Sequence, residues 1–443
     1  MIAIDGRVAL GLDEFMLRLG HLNILAQLAS SISGRPRRLE RDFAELLTRP
    51  VAVGEDANER IANYLGEKRL CADSRKATDS EKRRTEYRYP RLEVSSSILD
   101  GDERLQVKSV TGEPIEVWWQ DYCLSSAEIE SAVGAVTTGA RMGSSTGVSH
   151  ILDWGVILGI LNRDFSGSLE AAILAGLGRG IESSDTANPF ILSPEAKMVL
   201  SYLLFRADMD VFSRLVPRIL EARQPIRKAD GAKLFGAAVE ALARDAENDP
   251  NALQRAQSIV FEQFKELKSA QRRKADEPLG SSSTAWHRAS SRFESYVDLG
   301  FLTKRKGNET HRFEYVYYTT DLLHAICVSI DRHHSGIEWL EGAFIDFFGT
   351  PEVPATDRID RDQLRKLLIP IAKLLGRPIQ LFPIEALALG IAVLAPSIGV
   401  KVSIGSARLS LEELAREYPE CARLSRGTVV TRPEFVSLDL ERL

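Results

Sequence analysis

Apolar residues recur at three- and four-residue steps along most of this chain, and that period predicts helices. Phe15, Leu19, Leu22, Leu25, Ala26 and Ala29 form one stripe over residues 13–30, with Asp13 placed to cap it. Shorter stripes predict helices at residues 39–47, 57–66 and 125–139. From 151 to 242 the pattern is helix after helix, at residues 151–161, 168–177, 194–205, 211–221 and 232–242, punctuated by Asn188-Pro189, Ser193-Pro194 and Gln224-Pro225. Leu253, Ala256, Val260, Phe264 and Leu267 mark a long helix, and residues 321–331, 361–375 and 384–395 carry others. Period-two patterning is rarer. It predicts an extended run at 84–89 and a hairpin in which Leu105, Val107 and Val110 face Ile115, Val117 and Trp119 across Thr111-Gly112-Glu113-Pro114. Near the end, residues 400–404 and 428–440 read as extended, and Ser410-Leu411-Glu412-Glu413 reads as a capping box.

The most informative stretch runs from Ser281 to Tyr318. Its serines and Thr284 offer N-caps, and Trp286, Ala289, Phe293, Tyr296 and Val297 line the apolar side of a helix. Arg288, Ser291, Arg292 and Ser295 follow at i, i+3, i+4 and i+7, so two guanidinium groups and two hydroxyls share another face. Gly300 ends the helix, an extended run starts at Phe301 and Leu302, and residues 306–310 form a turn before the aromatic strand Phe313 to Tyr318.

This order of helix, strand, basic turn and strand resembles the C-terminal half of a winged helix-turn-helix domain. The resemblance implies that Arg288, Ser291, Arg292 and Ser295 face the bases or phosphates of duplex DNA, and that Lys304, Arg305, Lys306 and Arg312 are wing contacts. A looser echo, with Thr85-Glu86-Tyr87-Arg88-Tyr89 in the place of the aromatic strand, suggests a second winged helix near residues 10–95. The expected fold is mainly α and multidomain. Its expected parts are a possible winged-helix domain at 1–95, a β-hairpin with a helical middle domain at 96–245, a winged helix-turn-helix domain at 246–335 and a small C-terminal α/β module at 336–443.

Charge sharpens this picture without deciding it. The chain carries a net −5, yet residues 35–91 and 253–315 are each +4, a distribution that fits local nucleic-acid contact better than general attraction to polyanions. Cys71, Cys123, Cys327 and Cys421 lie far apart without a CxxC pair, which argues against a disulfide framework or zinc knuckle and for a reducing cytoplasm. No secretory signal is read at the start, and the apolar run from 381 to 400 is interrupted by Pro383, Glu385 and Pro396, so a buried helix is expected there and no membrane span.

Catalytic motifs are weak. Asp100 and Asp102 with Gln106-Val107-Lys108 are similar to the acid and QxK of some metal-dependent nucleases, but acid and triplet share one short hairpin. Gly143-Ser144-Ser145-Thr146-Gly147 lacks the lysine of a phosphate cradle, and Gly176-Leu177-Gly178-Arg179-Gly180 follows a helix, so both read as loops. Arg332-His333-His334 has no metal-like spacing. No catalytic residue, metal or cofactor is assigned. The expectation is a non-catalytic DNA-binding subunit of a bacterial DNA-processing or genome-defence complex, joined to other protein subunits. The alternatives are a transcriptional regulator and a protein-interaction scaffold whose winged helices dock partners.

Overall fold

The computed structural model describes residues 7–9, 19–31, 50–51, 92–94, 107–109, 117–118, 145–163, 166–177, 192–248, 254–270, 283–306, 315–348, 353–374, 381–426, 433–439 and 442. The architecture is mainly helical with small sheets. In order, the elements are α1 (Gly20–Ser31), β1 (Pro50–Val51), β2 (Leu92–Val94), β3 (Val107–Ser109), β4 (Val117–Trp118), α2 (Ser145–Ile157) and α3 (Leu169–Leu177). Next come α4 (Pro194–Glu221), β5 (Ile226–Arg227), α5 (Lys228–Asn248), α6 (Gln254–Ala270), α7 (Ser283–Asp298), β6 (Leu302–Lys306), β7 (Tyr315–Thr319), α8 (Asp321–Ile330) and α9 (Gly336–Gly342). The chain closes with β8 (Ala355–Thr356), α10 (Arg361–Leu374), β9 (Leu381–Pro383), α11 (Ile384–Leu394), β10 (Lys401–Val402), α12 (Ile404–Glu417), β11 (Ala422–Arg426) and β12 (Pro433–Leu438). The helices expected at 39–47, 57–66 and 125–139, and the strand at 84–89, lie outside the described residues.

Two expected helices, 194–205 and 211–221, are one. In α4, Ser193 caps the start by accepting from the Ala196 N–H at 3.1 Å and Pro194 takes the first turn, where its missing N–H costs nothing. The helix then bends at Asp208, whose φ of −131° and ψ of 22° are not helical. Helix α7 ends as expected: Gly300 adopts φ +83°, the Phe301 N–H reaches the Tyr296 carbonyl at 2.8 Å and the Gly300 N–H reaches Val297 at 3.0 Å. Those paired bonds satisfy the last carbonyls of the helix and aim the chain into β6.

Strands β6 and β7 form the expected antiparallel hairpin, from Leu302 opposite Thr319 to Lys306 opposite Tyr315. Strand β5 pairs with the other edge of β7, giving the order β5-β7-β6. Among the described residues of the hairpin expected at 105–119, β3 pairs with β2 and β4 with β1, not with each other. Strand β3 takes the strand before it and β4 a partner more than sixty residues away, neither of which the turn signal at 111–114 specifies. Strands β11, β12 and β9 make an antiparallel sheet, and β8 with β10 a parallel pair. The capping box expected at 410 is displaced. Ser403 caps α12, accepting from the Ser406 N–H at 3.0 Å, while Ser410 sits inside the helix with its hydroxyl on the Ser406 carbonyl. Ser145, Thr146 and Gly147, expected in a loop, open α2.

The buried apolar side chains from Val8 to Leu438 form one cluster that runs across positions 245/246 and 335/336. Helix α5 packs against α4, α6 and α7, and α11, apolar apart from the exposed Glu385 in its first turn, packs against α3, α10 and α12. A Cβ at Gly390 of α11 would stand 2.9 Å from Ile173 and 3.1 Å from Ile371, so glycine sets how closely α3, α10 and α11 approach. Phe205 of α4 is the hub. Its ring meets Phe212 at 4.5 Å, Trp339 at 5.4 Å and Phe301 at 5.7 Å, tying both halves of α4 to the α7–β6 corner and to α9. Replacing Phe205 with Ala should lower unfolding free energy by about 3–5 kcal/mol in urea titrations. Phe261→Ala, at a side chain 40 % exposed, should cost well under half of that.

Candidate functional site

The face of α7 that carries Arg288, Ser291, Arg292 and Ser295 is the natural place to look for function. It is not an open surface. Ser291, Arg292 and Ser295 are 0 %, 1 % and 2 % exposed. The Ser291 hydroxyl donates to the Arg288 carbonyl at 3.0 Å and the Ser295 hydroxyl to the Ser291 carbonyl at 2.8 Å, so both satisfy themselves on their own helix. Arg288 is half-buried beside them. These residues were expected at duplex DNA; they face the protein interior.

Arg292 is held from every direction. Its Nε donates to Asp208 Oδ2 at 2.6 Å and its Nη2 to Asp208 Oδ1 at 2.9 Å, a fork on a carboxylate that is itself 2 % exposed. Nη1 donates to the Arg288 carbonyl at 2.9 Å and Nη2 also reaches the Ala9 carbonyl at 3.2 Å, while the guanidinium lies 4.8 Å from the centre of the Phe235 ring. Burial pushes the Asp208 carboxyl above its ordinary value, against the pull of the Arg292 charge, the bonds from its fork and the Ala9 N–H at 2.9 Å.

The bend in α4 places Asp208 here. In a straight helix the Asp210 N–H would bond the Arg206 carbonyl. Arg7 separates that pair, because the Asp210 N–H donates to the Arg7 carbonyl at 3.1 Å and Arg7 Nη1 donates to the Arg206 carbonyl at 2.9 Å. The Arg7 N–H reaches Asp210 Oδ2 at 2.8 Å. A segment inserted into the ladder is one of the recognised causes of a sharp bend.

The wing cations divide. Lys304, expected to contact phosphate, is 6 % exposed, and its ammonium donates to Glu294 Oε1 at 2.6 Å. The Tyr317 hydroxyl donates to the same oxygen at 2.6 Å, so this carboxylate joins α7 to both strands of the hairpin. The backbones of Arg305 and Lys306 lie in β6, with side chains outside the described residues, and Arg312 lies outside them altogether. Sequence reasoning missed Arg7, Asp208, Asp210 and Glu294. A weak signal was present: Asp208 and Asp210 stand in a helix rich in apolar residues, but Arg206 and Arg214 in the same helix offer nearer cations, so nothing local points to Arg292.

Among the described residues no group of three or more His, Cys, Asp or Glu is arranged to hold a metal, and no helix is long and apolar enough to cross a membrane. Burial raises the Cys327 thiol to about 11, which keeps it protonated near neutral pH, and the Cys421 thiol donates to the Arg442 carbonyl at 2.9 Å. Comparison of the chain with protein-family models, with curated proteins and with solved structures returns no match in any of the three.

Arg292→Met should cost about 3–5 kcal/mol, because it leaves Asp208 buried without its cation. Adding Asp208→Leu should recover most of that loss, with both read from the urea midpoint at unchanged slope.

Proposed function

We propose that this chain is a non-catalytic protein-interaction scaffold in which a winged-helix unit spanning residues 226–319 serves as an internal packing module. The strand order β5-β7-β6, with α5, α6 and α7 between the first strand and the closing hairpin, supports the winged-helix reading. What carries the scaffold reading is the Arg292–Asp208 pair. A base-specific arginine contact provides about 1–3 kcal/mol, whereas breaking a buried ion pair costs about 3–5 kcal/mol, so reading a duplex with Arg292 loses more than it gains.

The DNA-processing subunit and the transcriptional regulator both place the α7 face on DNA, with the wing cations Arg305, Lys306 and Arg312 beside it. The scaffold does not. Its partners are other protein subunits, met through surfaces away from α7.

Two measurements test this reading. Fluorescence anisotropy of labelled duplex and single-stranded DNA should give no saturable binding to the chain near physiological salt, and no steep salt dependence below it. The chain isolated from its natural source should co-purify with another polypeptide in fixed stoichiometry. Tight, salt-sensitive duplex binding that weakens with Arg305→Ala or Lys306→Ala, by a chain isolated alone, would favour the DNA reading.

A further inference from the structure

The bend in α4 holds a segment about two hundred residues away in sequence. At Asp208 the helix presents a fixed row of donors and acceptors: the Arg206 carbonyl, the Asp208 and Asp210 carboxylates, the Asp210 N–H and, from α7, Arg292 Nη2. The segment Arg7–Ala9 answers each of them. It does so mainly with main-chain atoms: the N–H and carbonyl of Arg7 and the N–H and carbonyl of Ala9, with the Arg7 guanidinium as the one polar side chain. Val8 and Ala9 are 7 % and 4 % exposed and supply the apolar contact. Recognition of an extended segment through its backbone, with one or two side-chain pockets, is how sheet edges bind peptides. Here a broken helix does the same.

We propose that this notch is a peptide-binding site filled in cis by Arg7–Ala9, and that it accepts in trans an extended segment of the same chemistry: an arginine, a β-branched apolar residue and a small residue. The site has the properties an exchangeable receptor needs. Asp208 keeps both bonds to the Arg292 fork when the segment leaves, so half of the notch persists. The Arg206 carbonyl and the Asp210 N–H, parted by Arg7, then need a new partner in the interior. Among the described residues of the segment, Val8 is the branched aliphatic anchor. The competing outcome is that α4 straightens and the Asp210 N–H rejoins the Arg206 carbonyl. This inference does not rest on the scaffold reading, since the same notch would operate in a DNA-binding protein.

Complementation in trans tests it. A chain lacking residues 1–9 is titrated with a labelled synthetic peptide of residues 4–12, and anisotropy is followed. Saturable binding is expected, weaker by about tenfold for the peptide carrying Arg7→Ala, and much reduced for the full-length chain, whose notch is occupied. If the shortened chain keeps the helical circular dichroism of the full chain and takes up no peptide, α4 has closed and the proposal is overturned. If the shortened chain does not fold, the full-length Arg7→Ala chain replaces it. Uptake of the unmodified peptide by that chain supports the site, and no uptake overturns it. Equal uptake of a scrambled peptide overturns it as well.

Discussion

One buried ion pair sets the constraint under which the rest of this structure is arranged. Arg292 and Asp208 are fully enclosed, and each alone would be a costly charge in the interior. Their mutual fork lowers that cost but does not exhaust their bonding capacity. The remainder is met by Ala9, whose N–H and carbonyl serve the acid and the base, and by the Arg288 carbonyl. Three segments distant in sequence must therefore arrive together. Because a half-satisfied network is worse than an apolar core, the arrangement tolerates few alternatives. It specifies position more than it adds stability.

The aromatic cluster makes the complementary contribution. Phe205 and Phe212 lie on either side of the bend in α4, and their rings meet edge to face at 4.5 Å. Tyr296 and Phe301 bring α7 and its exit onto the same rings, with Phe212–Tyr296 at 5.5 Å and Phe205–Phe301 at 5.7 Å. Burial of these side chains drives the helices together without regard to direction, and the Arg292 fork then selects one register of α7 against α4. On the far side of α7, Glu294 holds Lys304 and Tyr317, so the hairpin is fixed to the same helix. Helix α7 is thus held by polar bonds on two sides and by apolar packing on a third.

Much of this was legible in the sequence, and the part that was not has a clear cause. The stripe from Trp286 to Val297, the glycine at 300 and the alternation after it predict α7, its end and the hairpin, because those are local signals. Residues 384–395 read as a buried helix, and α11 occupies 384–394. Periodicity also groups Arg288, Ser291, Arg292 and Ser295 on one face, but it does not say what covers that face. A polar stripe usually meets water. This one meets an acid 84 residues away, at a helix bend where Arg7 bonds the Arg206 carbonyl. In the hairpin expected at 105–119, the described residues 107–109 and 117–118 take partners at 92–94 and 50–51. Local pattern ranks what a segment can do, and distant partners decide among the options.

The two serines show why a polar helix can serve as an interior one. An aliphatic residue at 291 or 295 would add volume where neighbouring helices pack closely, and a longer polar residue would need an external partner. Serine avoids both, being small and bonding back to the carbonyl one turn or less behind it. The helix thereby presents a low-profile surface in which the fully buried guanidinium, that of Arg292, is matched by a carboxylate. A recognition helix needs the opposite: side chains that reach outward and are unbound until the ligand arrives. Helix α7 is fitted to its own protein: Ser291, Arg292 and Ser295 already spend their polar groups within the chain.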